Sequence, residues 1–251
     1  MKRKLTSVLL ALAMVVSLLS AMSGTARAAE KVPIPGLIDA STGAAVSLDL
    51  VSNETLTLPA GRYYLTDNVE HPYRLLINSG EVWLGLAGKT ITNTKTENIS
   101  NYDYVIRVDA PGALNLLDSV GGGKITGCRG VGVFNTVNMY GGSIESNIGH
   151  GVYIYYAKTF NMYGGSISSN TTTYGVNISG GTFNMYGGVI SRTTGTAANV
   201  YAGNMSSTNG TFNWYGGTIK TGNDAEHDSS KMTATPTIES VKNPSLHSVE
   251  K

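Results

Sequence analysis

The chain has 251 residues, a formal net charge of +1, 31 glycines and a single cysteine. No basic stripe interrupts this near-neutral charge pattern, which argues against a nucleic-acid-binding surface. One thiol cannot form an internal disulfide, so a disulfide-stapled scaffold is excluded and burial of apolar side chains must hold the fold together.

The N-terminal segment has the order of features of a secretory signal peptide. Basic residues at 2–4 precede an apolar stretch over 9–19 that is too short to span a bilayer comfortably, and Ala26 and Ala28 supply small residues for cleavage. We therefore predict a signal peptide over 1–28 and a secreted or extracellular protein, with an uncleaved membrane anchor as the alternative. Beyond the signal peptide no apolar run is long enough for a membrane helix, so we expect no membrane span after cleavage.

The rest of the chain divides into three predicted parts. Residues 29–54 precede a repetitive region and are expected to form a cap over its open N-terminal end. Residues 55–222 contain the repeats. Residues 223–251 are polar, carry two prolines and lack an apolar period, which predicts a disordered tail or linker.

One motif recurs through the repetitive region. Its clear copies are V-N-M-Y-G-G-S-I at 137–144, F-N-M-Y-G-G-S-I at 160–167, F-N-M-Y-G-G-V-I at 183–190 and F-N-W-Y-G-G-T-I at 212–219. The first three copies are evenly spaced, and a short insertion precedes the fourth. A degenerate copy at 114–117 keeps the even spacing, and another lies at 82–86. A G-V-x-[VI] run precedes most copies and a short apolar run follows the double glycine, so one period holds three brief strands.

Alternation within each copy assigns an inner and an outer face. The inner face is predicted to hold Leu114, Val137, Phe160, Phe183 and Phe212, beside Leu116, Met139, Met162, Met185 and Trp214. The outer face is predicted to hold Asn115, Asn138, Asn161, Asn184 and Asn213, beside Tyr140, Tyr163, Tyr186 and Tyr215. A single rung cannot bury its inner face, whereas rungs stacked about 4.8 Å apart share a continuous core. The pattern predicts an all-β parallel β-helix, a β-solenoid of about six rungs with three short strands each.

The repeats resemble a known group of proteins. Residues 61–69 (G-R-Y-Y-L-T-D-N-V) and 82–91 (V-W-L-G-L-A-G-K-T-I) resemble the first rung of secreted right-handed β-helix proteins of Gram-positive bacteria, and F-N-M-Y-G-G-x-I-S resembles their later rungs. The wider group is the pectin-lyase-like superfamily, and the resemblance covers roughly residues 55–222. It implies a single-stranded right-handed parallel β-helix. Members of the superfamily include polysaccharide lyases, hydrolases, adhesins and surface proteins, so the fold alone does not specify an activity.

The resemblance also implies what a catalytic member would need. A pectate-lyase-like enzyme uses clustered acidic residues to bind calcium and a basic residue to remove a proton, all on one outer face. The region 103–129 is the richest in charge, and Asp109, Asp118 and Arg129 are the residues that this alternative would use, with Ca²⁺ as its cofactor. No zinc-protease motif, nucleophile elbow or Cys/His metal set is present. The histidines are isolated in sequence and are predicted to lie at the surface.

The outer face supports the favoured hypothesis about function. Stacked asparagine amides can exchange hydrogen bonds along the coil, and stacked tyrosines form an aromatic strip that could contact sugar rings. We expect a noncatalytic secreted or surface-associated protein, without cofactor or metal, that binds a polysaccharide or cell-wall glycan through Asn138, Asn161, Asn184, Asn213, Tyr140, Tyr163, Tyr186 and Tyr215. Two alternatives stay open. The ladders could only stabilise the solenoid, or the protein could be a polysaccharide lyase or glycoside hydrolase.

Overall fold

The structure is a computed structural model that describes residues 30–52, 54–97, 100, 103–168, 174–191, 200–205 and 208–219. The predicted signal peptide and C-terminal tail lie outside these residues, so both remain predictions. The described residues from Lys31 onward form one compact unit. All regular structure in the described residues is β-strand, and none of it is a helix long and apolar enough to cross a membrane.

Most of the strands are short, as the spacing of glycines and polar turns predicts. In chain order they are β1 (Glu30–Asp39), β2 (Ala45–Ser52), β3 (Thr55–Thr57), β4 (Gly61–Leu65), β5 (Val69–His71), β6 (Arg74–Ile77), β7 (Glu81–Gly85), β8 (Thr90–Asn93), β9 (Tyr104–Leu117), β10 (Lys124–Thr126), β11 (Arg129–Met139), β12 (Ser143–Glu145), β13 (Val152–Ile154), β14 (Thr159–Met162), β15 (Ser166–Ser168), β16 (Val176–Ser179), β17 (Thr182–Met185), β18 (Val189–Ser191), β19 (Val200–Met205), β20 (Thr208–Asn209), β21 (Thr211–Trp214) and β22 (Thr218–Ile219). The long strands β9 and β11 each pass through two of the three stacks described next.

Three stacks of parallel strands make up a right-handed β-helix. One stack is a seven-stranded sheet of β5, β8, β10, β12, β15, β18 and β22, which spans about six turns. The other two stacks belong to one larger sheet, which bends within β11, where the pairing with β9 shifts between Phe134 and Thr136. The predicted fold class is therefore confirmed: an all-β solenoid of about six turns with three short strands in each turn.

The register of the stacked strands follows the sequence repeat. Val137 pairs with Phe160, Phe160 with Phe183, and Phe183 with Phe212. The degenerate copies take the same register, since Leu114 pairs with both Val137 and Val82. Each period of the sequence is thus one turn of the coil, and the insertion before the last copy leaves the register intact.

The predicted inner columns form the core. Leu114, Val137, Phe160 and Phe183 are fully buried and Phe212 is 2% exposed, while the neighbouring column is fully buried from Leu116 through Met185. Trp214, at the last described turn, is only partly buried. The isoleucines of the seven-stranded sheet form a third buried column: Ile91, Ile125, Ile144, Ile167 and Ile190. Cys128 is also buried, in agreement with its prediction as a small core residue.

The double glycine after each tyrosine is required by the turn between two stacks. The second glycine has positive φ, as at Gly165 (φ 80°), a conformation that costs other residues energy because their Cβ meets the backbone. The first glycine lies directly on the turn below it: a Cβ on Gly164 would sit 2.6 Å from the carbonyl oxygen of Tyr140. The pair therefore allows successive turns to stack without a gap.

The N-terminal strands run antiparallel to the coil. β1 pairs with β4 through Leu37 and Leu65, and β2 pairs with β3 through Leu50 and Leu56. Ile34, Leu37 and Leu48 bury their side chains in the same core as the first turn. Strands β1 and β2 thus cover backbone edges of the first turn that would otherwise be open to pairing with another chain.

Candidate functional site

The most regular surface of the molecule lies outside β11, β14, β17 and β21. Three residues per turn point outward here, two positions apart along the chain. Strand pairing places the threonines and asparagines on their equivalents in the next turn, and the tyrosine rings stack in the same way. We call these sets the threonine column (Thr136, Thr159, Thr182, Thr211), the asparagine ladder (Asn115, Asn138, Asn161, Asn184, Asn213) and the tyrosine row (Tyr140, Tyr163, Tyr186, Tyr215). Together they form the Thr–Asn–Tyr face.

The asparagine ladder is a continuous chain of hydrogen bonds. Each Nδ2 donates to the Oδ1 of the asparagine one turn below, at 2.9 Å from Asn138 to Asn115 and at 2.8 Å for each of the next three pairs. At its N-terminal end, Asn115 Nδ2 donates to Glu81 Oε1 at 2.7 Å. Asn115 is buried, whereas the four later members are half-buried and reach the surface.

The tyrosine row consists of rings stacked on one another. Neighbouring centroids are 4.9, 5.0 and 4.9 Å apart, with ring planes within 11° of parallel. Trp83 continues the row beyond Tyr140, at 6.3 Å and 5°. Rings in contact lie about 3.6 Å apart, so a centroid separation of 4.9 Å implies a sideways offset of about 3.3 Å between Tyr140 and Tyr163. Each ring therefore covers only part of the face of the next ring.

This geometry changes what the tyrosine row can offer a ligand. Part of each ring face is occupied by the next tyrosine, and the surface consists of ring edges, the uncovered part of the faces and the hydroxyl groups. Tyr186 is 36% exposed and the other three are half-buried. Burial raises the pKa of Tyr140, Tyr163 and Tyr186, so these phenols stay neutral hydrogen-bond donors at ordinary pH.

The residues of the lyase alternative have structural partners. Asp109 Oδ1 accepts a bond from Arg107 Nε at 2.7 Å. Asp118 accepts hydrogen bonds from three backbone N–H groups, those of Gly88, Gly121 and Gly123, so its carboxylate bonds to the turns that follow β7 and β9.

Arg129, the basic residue of that alternative, also has a partner. Its Nε donates to the backbone oxygen of Ser100 at 3.3 Å. Across the described residues, no three His, Cys, Asp or Glu side chains come together as a group that could hold a metal ion.

A second aromatic surface, which sequence reasoning missed, lies on the adjoining stack. We call the half-buried Phe134, Tyr153 and Tyr155, together with the buried Tyr104 beneath them, the aromatic patch. Phe134 stacks on Tyr155 at 5.0 Å and contacts Tyr153 and Tyr104 at 6.3 and 6.0 Å, while the Arg107 guanidinium lies 4.1 Å from its ring centre. The alternating run Y-I-Y at 153–155 is the sequence pattern that could have predicted the aromatic patch. A threonine immediately precedes each later F-N copy, and this pattern could have predicted the threonine column.

The prediction that the histidines lie at the surface is wrong for His71. Its side chain is 5% exposed beside a cavity of about 450 Å³ between β1 and residues 68–73. His150 is half-buried between the rings of Tyr153 and Tyr174, at 5.8 and 5.9 Å. Burial lowers the pKa of both histidines, and the pKa of His150 falls to about 4, helped by the charge of Arg129. His227 and His247 lie outside the described residues.

Comparisons with known proteins add no relative. No protein-family model matches the chain, and neither curated proteins nor solved structures provide a match.

Proposed function

We propose that the protein is a secreted or cell-surface-associated, noncatalytic β-helix protein that binds carbohydrate through the Thr–Asn–Tyr face. The secretory role rests on the basic, apolar and small-residue order over 1–28. The resemblance of its repeats to secreted pectin-lyase-like β-helix proteins of Gram-positive bacteria supports the same assignment.

The observation that carries the proposal is the regularity of this face over four turns. Hydroxyl, amide and phenol groups repeat in register on a surface whose core side is already packed. Amides and hydroxyls both donate and accept hydrogen bonds, as sugar hydroxyls require, and the ring edges and partial faces supply apolar contact to the C–H surface of a sugar. A ligand with a repeated structure, either one long chain or several chains packed side by side, would meet the same groups at every turn.

A glycan array tests the proposal directly. We expect wild-type protein to bind at least one class of polysaccharide, and Tyr163→Ala to weaken that binding several-fold because it removes a ring from the centre of the tyrosine row. Tyr153→Ala, the same change in the aromatic patch, is the matched control and should bind as wild type. Circular dichroism should show that both variants keep the β-helix.

Two results would contradict the proposal. One is an array without binding, or with binding that Tyr163→Ala and Tyr153→Ala affect equally. The other is sustained release of unsaturated product from polygalacturonate in the presence of calcium that is abolished by Arg129→Ala, since such turnover would make the protein a lyase.

A further inference from the structure

The asparagine ladder has unused hydrogen-bonding capacity. A side-chain amide has two N–H groups and an oxygen that accepts two bonds. In the ladder, Asn138, Asn161 and Asn184 each donate one N–H upstream and accept one bond from the next turn. Within the described part of the chain these three amides make no other hydrogen bond, so each keeps one donor and one acceptor. All three are half-buried, with part of the side chain at the surface.

The ladder also has a defined period. Amides joined N–H to O=C in a column repeat at the spacing of strands in a β-sheet, about 4.8 Å, because the same atoms bridge the gap in both. The ring centroids of the tyrosine row, 4.9 to 5.0 Å apart, show that this face keeps that period. A ligand whose own amides are joined in such a column has the same period, and so can match the ladder turn after turn.

The two columns that flank the ladder indicate which chemical groups should lie beside the amides of the ligand. The threonine column and the tyrosine row lie two residues to either side of the ladder, about 6.6 Å away at the usual rise of a strand. They supply hydroxyl groups and partial ring faces, which suit sugar hydroxyls and sugar C–H surfaces. None of the members of the three columns is charged, and the carboxylate of Glu81 lies at the N-terminal end of the ladder, where it accepts a bond from Asn115.

We propose, resting on the proposed carbohydrate-binding function, that the ligand is an N-acetylated polysaccharide in ordered form. Several chains lie side by side across the face with their acetamido groups in a hydrogen-bonded column, and successive chains meet successive turns of the coil. The free N–H of each asparagine donates to the second lone pair of an acetamido carbonyl, whose own N–H is used in the column, and the free acceptor of the asparagine takes a bond from a sugar hydroxyl. One such contact is weak. Its repetition over neighbouring turns provides the affinity, because the chains of a solid are held together and one protein therefore binds several of them at once.

Sedimentation with insoluble polysaccharides tests this proposal. The protein without its predicted signal peptide, residues 1–28, is mixed with chitin, with chitosan as its deacetylated counterpart, and with cellulose as the equivalent without nitrogen. We expect the protein to sediment with chitin at concentrations at which it stays in solution with the other two. Short soluble oligomers of N-acetylglucosamine should compete poorly, because they engage only one or two turns.

Two variants connect the binding to this face. Asn161→Ala, which removes one amide from the middle of the ladder, should release the protein from chitin, and Asn177→Ala, an outward asparagine on the adjoining stack, should not. Should Asn161→Ala fail to fold, Thr159→Arg places a bulky charge beside an intact ladder and should also prevent binding, with Ser168→Arg on the seven-stranded sheet as its control.

The outcomes separate this inference from the proposed function. Equal sedimentation with cellulose or chitosan, or equal losses in Asn161→Ala and Asn177→Ala, would overturn the role of acetamido groups while leaving carbohydrate binding in place. Absence of sedimentation with chitin would overturn it too, and the glycan array would then decide alone whether the protein binds any carbohydrate.

Discussion

At the residue scale, some described positions require one residue type for the turns to stack, whereas others lie on the surface without such a requirement. Glycine illustrates the difference, because two glycines with the same backbone conformation have different surroundings. Gly165 has φ 80° and would place a Cβ against the Gly142 carbonyl and the Met139 methyl group. Gly121 has φ 87°, but no atom lies within 4 Å of the position that its Cβ would take.

Alanine at these two glycines should separate backbone strain from crowding. Gly121→Ala should lower the free energy of unfolding by about 1–2 kcal/mol, the cost of the left-handed conformation alone. Gly165→Ala should cost at least about 1 kcal/mol more, because neighbouring turns must also move apart. Urea denaturation followed by circular dichroism measures both. Equal losses would mean that crowding at the turn contributes nothing.

At the scale of the strand, stability comes from stacking of equivalent residues in adjacent turns. Phe183 lies between Phe160 and Phe212, with ring centroids 5.6 and 5.1 Å away, and is fully buried. Its neighbour Thr182 points outward from the same strand and is half-buried. The alternation of β17 thus places a core residue and a surface residue side by side.

Truncation of these neighbours should have very different effects. Phe183→Ala should lower the free energy of unfolding by about 3–5 kcal/mol, because it leaves a cavity that two turns share. Thr182→Ala, the matched control on the outer face, should change it by no more than about 0.5 kcal/mol. Thermal and urea denaturation measure the difference. A similar loss in both variants would contradict the assignment of inner and outer faces.

At the scale of the whole molecule, the two described histidines connect the stability of the coil to pH. His71 lies in the first turn and His150 in the middle of the coil, and burial lowers the pKa of both. A histidine with a lowered pKa binds fewer protons when folded than when unfolded, so acid favours the unfolded chain. Its contribution to stability is complete above pH 6.5 and is lost as the pH falls toward the folded value, about 4 for His150.

We therefore expect the free energy of unfolding to decrease between pH 6.5 and pH 4.5, before most carboxylates titrate. The decrease in unfolding free energy attributable to His150 amounts to at most about 3 kcal/mol when the pH reaches the pKa of the folded form, about 4. His150→Gln and His71→Gln should each make the decrease smaller, as urea denaturation at a series of pH values would reveal. An unchanged pH profile in both variants would show that neither histidine is buried in its neutral form.

The sequence alone determined the architecture of the coil and the contents of its core. Evenly spaced, alternating F-N-M-Y copies allow one register, because a slip by a single position would expose every phenylalanine to solvent. The same alternation identified the outward asparagines and tyrosines, including the degenerate copy at Asn115. Repetition makes such inferences secure because each turn repeats the evidence of the last.

Only the tertiary structure decided how outward residues from different turns meet. It revealed the partial overlap of the tyrosine rings, the aromatic patch, the burial of His71 and the backbone partners of Asp118. The repeat predicts that the tyrosines stack but not how far their rings overlap, and the other three features do not follow from the period. Each depends on which side chains the coil brings together from different turns, or across the bend in β11. A local pattern such as Y-I-Y at 153–155 does not show which residues of other turns lie beside it.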